Sequence, residues 1–156
     1  MKLSGRIALV TGGSRGIGAA ISMALAEDGA DIAIFYRRDA AAAQATVQKI
    51  EALGRRARAY CASVDNFDAC AVALDAIGHE LGPCSILIHN AGIASRGKSV
   101  ADTDPAEMEW VLRVHAFGPL SCTVAAWGCR AHQDRARLSP SLFRGSDERR
   151  LDRRRQ

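Results

Sequence analysis

The stretch from Gly5 to Gly18 constrains the fold of this chain more than any other part of the sequence. An apolar run over residues 7–10 predicts a buried strand, and a loop with four glycines within residues 12–18 follows it. The pattern after Gly18 is helical. A strand, a glycine-rich turn and a helix start together bring backbone N–H groups up to a phosphate. Glycine is needed there because a Cβ atom would block the close approach.

Strand and helix patterns alternate along the first 127 residues. The predicted strands are Ile7–Val10, Asp31–Tyr36, Ala57–Ala62 and Ser85–His89. The predicted helices are Ile17–Asp28, Asp39–Leu53, a third from Asn66 to just before Gly82, and a fourth that begins at Asp104-Pro105. Near-continuous apolar strands separated by long helices are typical of a parallel sheet covered on both faces. The predicted fold class is therefore α/β, a Rossmann-type doubly wound parallel sheet truncated to about four strands with flanking helices.

The charge distribution divides the chain after residue 127. Residues 1–127 carry 12 basic and 13 acidic side chains, whereas residues 128–156 carry nine arginines and four acidic side chains. We predict that the first segment is a partial Rossmann domain. The second is expected to be a disordered tail or the product of a reading-frame shift. Binding of nucleic acid or an acidic partner through Arg149–Arg155 is an alternative, but a solvated tail is favoured because no aromatic residue interleaves with these arginines.

The remaining composition is that of an ordinary intracellular domain. No apolar run approaches the roughly 20 residues that a membrane span needs, and the N-terminus lacks the apolar core of a signal peptide. No Cys-x-x-Cys pair occurs, so we expect free buried thiols, no metal site and a cytoplasmic location. The five cysteines are Cys61, Cys70, Cys84, Cys122 and Cys129.

Two motifs in order give the chain a family resemblance over residues 3 to about 127. Thr11 precedes the Gly-x-x-x-Gly-x-Gly loop, and Asn90-Ala91-Gly92 ends the fourth predicted strand. In these motifs the chain resembles the short-chain dehydrogenase/reductase family. The resemblance implies an NAD(P)-binding domain and hydride transfer between NAD(P)(H) and a carbonyl or alcohol substrate, whose identity the sequence leaves open.

The resemblance also implies which residues hold the cofactor. Four loop residues would face the pyrophosphate, namely Gly12, Ser14, Ile17 and Gly18. Ser63 stands where the family has an Asp against the adenine, with Val64 beside it, and Asp65 is a weaker substitute. Asn90 would stabilise the central sheet, and the Ala91-Gly92 backbone would pass under the nicotinamide-side ribose.

Arginines at the end of the second strand bear on the choice of cofactor. A carboxylate there would bind the ribose 2′-hydroxyl of NAD. This chain has Arg37 and Arg38 instead, and Arg15 lies in the glycine loop. Guanidinium groups form charge-assisted, forked hydrogen bonds with a phosphate. We therefore predict that NADP(H) is preferred over NAD(H), although solvated loop charges would give the same sequence.

His115 occupies the position at which the family commonly has an Asn in a kinked helix that takes part in a proton relay. It is the one candidate catalytic residue, and a polar residue packed in a helix is an equally good interpretation. We expect Gly118-Pro119 to help break this helix.

The catalytic residues of the family are absent from this sequence. The family uses a Ser and a Tyr-x-x-x-Lys pair, in which the Tyr is the general acid/base. Here Tyr36 and Tyr60 are followed four residues later by Ala40 and Val64. We therefore expect the chain as written to be catalytically inactive. A non-catalytic fragment that binds the dinucleotide is the alternative. We also expect self-association through the fourth helix and the open edge of the fourth strand.

Overall fold

The computed structural model describes residues 1–95, 97 and 99–126. The predicted tail of residues 128–156 lies outside this part of the chain. The strands are β1 (Ile7–Thr11), β2 (Asp31–Tyr36), β3 (Ala57–Cys61) and β4 (Ile86–His89). The helices are α1 (Gly16–Glu27), α2 (Ala40–Ala52), α3 (Phe67–Glu80) and α4 (Pro105–Leu112), with a short 3₁₀ turn at Val100–Asp102.

The four strands form one parallel sheet in the order β3-β2-β1-β4. The chain thus moves outward from β1 to β3 and then returns to place β4 on the other side of β1. This reversal leaves a crevice at the carboxyl ends of β1 and β4, where ligands bind in doubly wound folds. The predicted fold class, a doubly wound parallel sheet of four strands with flanking helices, is confirmed in the described part of the chain.

The predicted caps explain where three helices begin. The Asp39 side chain accepts a hydrogen bond from the Ala42 amide at 2.9 Å, and the Asn66 side chain accepts one from the Ala69 amide at 3.0 Å. Asp104 caps α4 in the same way, with a proline at the first helical position. Arg15 is the cap residue of α1, but its side chain accepts no hydrogen bond from the first amides of that helix.

Two apolar layers cover the two faces of the sheet. On one face Leu9 and Phe35 pack against α3 and against residues of the last helical segment. On the other face Ile32 and Ile34 pack with residues of α1 and α2. The strands β1 and β2 are buried along almost their whole length because both faces are covered. In the described part of the chain, no helix is long and apolar enough to cross a membrane.

The helix that carries His115 is not broken as the sequence predicts. A π-helical turn at Arg113–Phe117 follows α4, and helical structure resumes over residues 118–126. Pro119 has no amide proton, so a carbonyl one turn earlier loses its α-helical partner. A widened turn accommodates that loss without ending the helix.

Asp31 is a buried carboxylate that joins the starts of β2 and β3. Its oxygens lie 2.6 Å from Arg55 Nη2 and 2.8 Å from Arg56 Nε, and the Arg56 amide donates at 3.1 Å. Burial raises the pKa of Asp31, but the hydrogen bonds from Arg56 and the charges of Arg56 and Arg55 outweigh burial. They hold this pKa below its ordinary value of 3.8.

We expect Asp31→Asn to lower the free energy of unfolding at pH 7 by roughly 2–3 kcal/mol, because two guanidinium groups lose their charged acceptor. Because its folded-state pKa is lowered, Asp31 stabilises the protein above its unfolded pKa. That contribution disappears as pH falls through the lowered folded-state value. Urea unfolding followed by circular dichroism at pH 7 and pH 3 measures both effects.

The exposed Asp28 gives a matched control. Asp28→Asn should change the free energy of unfolding by less than about 0.5 kcal/mol. Equal stability of Asp31→Asn and the parent protein at pH 7, together with equal sensitivity to acid, would contradict the account.

Candidate functional site

A cleft of about 570 Å³ lies at the carboxyl ends of the four strands. Its walls are formed by the segments that directly follow β1, β2, β3 and β4, together with Val114. Nine of the eleven residues singled out in the sequence line it, namely Gly12, Ser14, Arg15, Arg37, Ser63, Val64, Asn90, Ala91 and Gly92. The crevice thus brings together residues that lie far apart in the chain, from Gly12 to Val114.

Ile17 and Gly18 do not line the cleft. The Ile17 side chain is 75% exposed, so its contribution to a ligand is limited to its backbone at the start of α1. Gly18 is buried beneath the loop, where a Cβ would run into the Gly12 carbonyl and lie 2.5 Å from Asn90 Nδ2. Gly18 therefore sets the spacing of helix, loop and Asn90.

Gly12 makes the equivalent approach from the cleft side. Its φ is +66°, and a Cβ there would lie 3.1 Å from both Ala91 Cα and Asn90 Nδ2. Only glycine takes this backbone conformation at low energy while leaving room for a neighbouring chain. The loop after β1 can therefore lie directly against the loop after β4.

Hydrogen bonds lock these two loops together. The buried Thr11 hydroxyl accepts from the Asn90 and Ala91 amides, both at 3.1 Å, and it donates to the Ile88 carbonyl at 3.4 Å. Asn90 Nδ2 in turn donates to the carbonyls of Thr11 at 3.1 Å and Gly12 at 3.2 Å. The floor of the cleft is therefore held by side chains that have no freedom to turn toward a ligand.

A contact that the sequence did not predict anchors the loop from α2. The Thr46 hydroxyl lies 3.0 Å from the Ser14 carbonyl oxygen and 3.1 Å from the Ala42 carbonyl oxygen. Thr46 is buried and lies 32 residues from Ser14. Neither its position nor its spacing marks it in the sequence, because the contact depends on how α2 packs beside the loop.

The other lining residues missed by the sequence interpretation adjoin predicted positions. They are Phe35, Tyr36, Asp39, Ala62, Ile93 and Val114, whereas Arg38, which the sequence marked together with Arg37, lines the cleft as well. Most of them could have been predicted from their sequence positions, because each except Val114 lies at the carboxyl end of a predicted strand or in the segment that follows it. Arg15, Arg37 and Arg38 together make one end of the cleft basic.

At this basic end a network connects the cleft to α4. The Arg37 guanidinium carbon lies 5.3 Å from the centre of a Trp110 ring, a cation–π distance. Trp110 Nε1 donates to one oxygen of Asp65 at 3.1 Å, and the Ser63 hydroxyl donates to the other oxygen.

The carboxylate at the centre of this network is stabilised in its charged form. The hydrogen bond from Ser63 lowers the pKa of Asp65, and partial burial opposes the shift. The hydrogen bond from Trp110 and the charge of Arg37 add to the lowering. Asp65 is therefore an ionised acceptor at neutral pH.

His115 lies behind the cleft wall, where it contacts the segment after β4. Its Nε2 lies 3.1 Å from the Ile93 amide nitrogen and 2.7 Å from the Ile93 carbonyl oxygen, so either tautomer has a partner. A Cβ on Gly92 would lie 2.8 Å from His115 Cε1. The geometry therefore gives His115 a role in holding the backbone of the loop, and its neighbour Val114 reaches the cleft instead.

The two tyrosines differ in their placement. Tyr36 lines the cleft, whereas the Tyr60 hydroxyl lies on the outer strand β3, 3.1 Å from Glu80 Oε2. Burial, with Glu80 beside it, raises the pKa of Tyr60 and keeps the phenol protonated. In the segments that the structure describes, no group of three His, Cys, Asp or Glu side chains is placed to hold a metal ion.

Comparison with known proteins relates the chain to a large group of reductases. It is 38% identical over 122 residues to acetoacetyl-CoA reductase of Paracoccus denitrificans, an alignment that covers 78% of this chain and 48% of that protein. It is 40% identical over 117 residues to versicolorin reductase 1 of Aspergillus parasiticus, which covers 75% and 44%, respectively. The chain thus spans about half the length of the curated relatives it matches.

Solved structures match the fold over the same region. A short chain dehydrogenase from Burkholderia cenocepacia, crystallised in complex with NADP, is 45% identical and has a TM-score of 0.77, with 81% of this chain and 51% of that chain covered. A blue fluorescent protein from a metagenomic library, crystallised with NADPH, is 39% identical with a TM-score of 0.78, and the coverage is 82% and 52%.

The sequence profile of one family spans most of the chain. Residues 6–137 match the short chain dehydrogenase profile. The matched region contains the whole described sheet and every residue that lines the cleft. The chain belongs to the short-chain dehydrogenase family.

Proposed function

We propose that the chain binds a nicotinamide adenine dinucleotide in the cleft at the strand ends and prefers the phosphorylated form, NADP(H). The observation that carries this proposal is the convergence of nine sequence-predicted residues on one cleft at the point where the strand order reverses. Structures crystallised with NADP or NADPH are among its structural neighbours.

The glycine loop fits a pyrophosphate in its backbone geometry. Gly12 and Gly16 have φ values of +66° and +55°, and the space around a Cβ on Gly16 is open. The first amides of α1 follow an Arg15 that does not cap them with its side chain. Unpaired amides at a helix N-terminus, with the helix dipole behind them, bind anions.

The end of the cleft near β2 fits a ribose 2′-phosphate. Arg15, Arg37 and Arg38 line it, and Asp39, the one carboxylate among the residues that line the cleft, already accepts the Ala42 amide as a helix cap. Three guanidinium groups that line the same end of the cleft favour a dianionic ligand over a neutral hydroxyl. We infer that this end sets the preference for NADP(H).

We further propose that this chain does not transfer hydride by itself. A bound dinucleotide supplies or accepts the hydride, and the protein must then exchange a proton with the substrate oxygen. The sequence contains no Tyr-x-x-x-Lys pair to do so. The phenol of Tyr60 faces Glu80 on the outer strand, and His115 Nε2 is engaged by the backbone of Ile93.

We also propose a cytoplasmic location, because the five cysteines of the sequence are odd in number and form no Cys-x-x-Cys pair. Cys70 Sγ and Cys122 Sγ lie 3.6 Å apart in the core. This location implies that the two thiols stay reduced, because the cytoplasm disfavours disulfides.

The double variant Arg15→Ala, Arg37→Ala tests the proposed cofactor preference. We expect NADPH to bind the parent chain at least about tenfold more tightly than NADH, because charged hydrogen bonds to the 2′-phosphate are lost with NADH. The double variant should lose most of this preference while its affinity for NADH changes by less than about threefold. Fluorescence titration with both dinucleotides measures the two dissociation constants.

Arg113→Ala is the matched control, because Arg113 is an exposed arginine paired with Glu109 at 2.8 Å and does not line the cleft. It should leave both dissociation constants unchanged. Equal affinity of the parent chain for NADPH and NADH would contradict the preference, and failure to bind either at millimolar concentration would contradict the binding site itself.

We propose, finally, that copies of the chain associate through the segment that runs from α4 to residue 126 and through the edge of β4. Phe117 and Leu120 are each 59% exposed on this segment, and Val124 is 51% exposed. In the described segments no strand pairs with the outer edge of β4. Large apolar side chains beside an open strand edge promote association.

At micromolar concentration, we expect sedimentation velocity to show species larger than a monomer. The double variant Phe117→Glu, Leu120→Glu should shift the distribution toward the monomer, because association would have to bury each introduced charge. Val72→Glu, at a 72% exposed position on α3, is the control and should leave the distribution unchanged. A monomeric parent chain would refute this surface.

A further inference from the structure

Trp110 on α4 joins two segments that the sequence keeps far apart. Its ring lies under the Arg37 guanidinium at the end of β2, and its Nε1 donates to Asp65 after β3 at 3.1 Å. Neither Trp110 nor Asp65 lines the cleft, whereas Arg37 and Ser63 both do. The indole therefore contacts the cleft only through other residues.

The hydrogen bond from Ser63 to Asp65 determines whether the Ser63 hydroxyl can act as a donor or an acceptor toward the cleft. A hydroxyl has one proton to donate and two lone pairs to accept with. The Ser63 proton goes to one oxygen of Asp65, and Trp110 donates to the other. Because Asp65 lies outside the cleft wall, the Ser63 hydroxyl has only its lone pairs left for the cleft.

The charges around Asp65 maintain this arrangement at neutral pH. Ser63 and Trp110 both hydrogen-bond to the carboxylate, Arg37 adds its positive charge, and together these outweigh partial burial to lower the pKa of Asp65. An ionised carboxylate only accepts hydrogen bonds. It therefore cannot return a proton to Ser63 and make that hydroxyl a donor toward the cleft.

We propose that Trp110 is a positioning residue for the adenosine end of the cleft. By positioning Arg37 and Ser63, it makes this end selective for a purine that carries an amino group and is attached to a phosphorylated ribose. It orients the Arg37 guanidinium through its ring face, and through Asp65 it holds Ser63 as a hydrogen-bond acceptor. The amino group of adenine is a donor, whereas the corresponding carbonyl of hypoxanthine is an acceptor. This inference rests on the proposed dinucleotide site and concerns which base that site selects.

Calorimetric titration of the full chain with three ligands separates the two actions of Trp110. The ligands are NADPH, NADH and reduced nicotinamide hypoxanthine dinucleotide phosphate. We expect the parent chain to bind NADPH about tenfold more tightly than the hypoxanthine analogue, the equivalent of one hydrogen bond to an oriented acceptor.

Two substitutions at Trp110 separate the contribution of the aromatic face from that of the indole N–H donor. Trp110→Phe keeps an aromatic face for Arg37 and lacks the donor to Asp65. It should reduce the preference for NADPH over the hypoxanthine analogue to less than about threefold and leave the preference for NADPH over NADH intact. Trp110→Leu lacks both features and should reduce both preferences. Met108→Leu, at a 46% exposed position on the same helix, is the control and should change neither.

Each outcome bears on a different claim. Parent-level base and phosphate preferences in Trp110→Leu would overturn the positioning role. A parent chain that binds NADPH and the hypoxanthine analogue equally would overturn the assigned polarity of Ser63. A parent chain that binds no dinucleotide at all would instead overturn the proposed function. If circular dichroism shows that Trp110→Leu is unfolded, the base preference of the near-isosteric Trp110→Phe decides the inference.

Discussion

The hydrogen-bonded junction between Thr11 and Asn90 is the interaction on which the site depends. Thr11 is fully buried, and its hydroxyl accepts hydrogen bonds from the amides of Asn90 and Ala91, the first two residues after β4. Asn90 returns the contact by donating to the carbonyls of Thr11 and Gly12. Gly18 makes this closeness sterically feasible, because any side chain there would occupy the space of Gly12 and Asn90. The crevice between β1 and β4 therefore has a rigid floor.

The two ends of the proposed site differ in the side chains that they offer to a ligand. The end near β2 and β3 has three guanidinium groups, an oriented hydroxyl and a tryptophan behind them. At the other end, the backbone of Gly92 and Ile93 is supported by His115, and no tyrosine–lysine pair exists in the sequence. Both ends are consistent with the proposed function, in which the cleft binds the adenosine half of a dinucleotide and lacks a proton donor of the tyrosine–lysine type at the nicotinamide half.

The sequence predicted what is encoded locally. The parallel, doubly wound class of the sheet follows from alternating apolar strands and helices. Caps such as Asp39 and Asn66 mark helix starts because their side chains bond to amides within one turn. The cleft residues were mostly predictable because parallel strands bring their carboxyl ends to one edge. Trp110 was not, because its partners are 45 and 73 residues away and no spacing rule relates α4 to the ends of β2 and β3. The π-helical turn before Gly118 escaped prediction because the missing amide proton of Pro119 indicates a disturbed helix but does not decide whether the helix breaks or widens.

We propose that the cleft binds NADPH without oxidising it in the presence of a carbonyl substrate. The most direct test follows bound-NADPH fluorescence and the NADPH absorbance band in one sample of the full chain with a simple ketone. We expect saturable binding and constant absorbance. Consumption of more than one equivalent of NADPH per chain would contradict it, provided that the activity disappears in Gly12→Val, which places a branched side chain at a φ of +66° against Ala91.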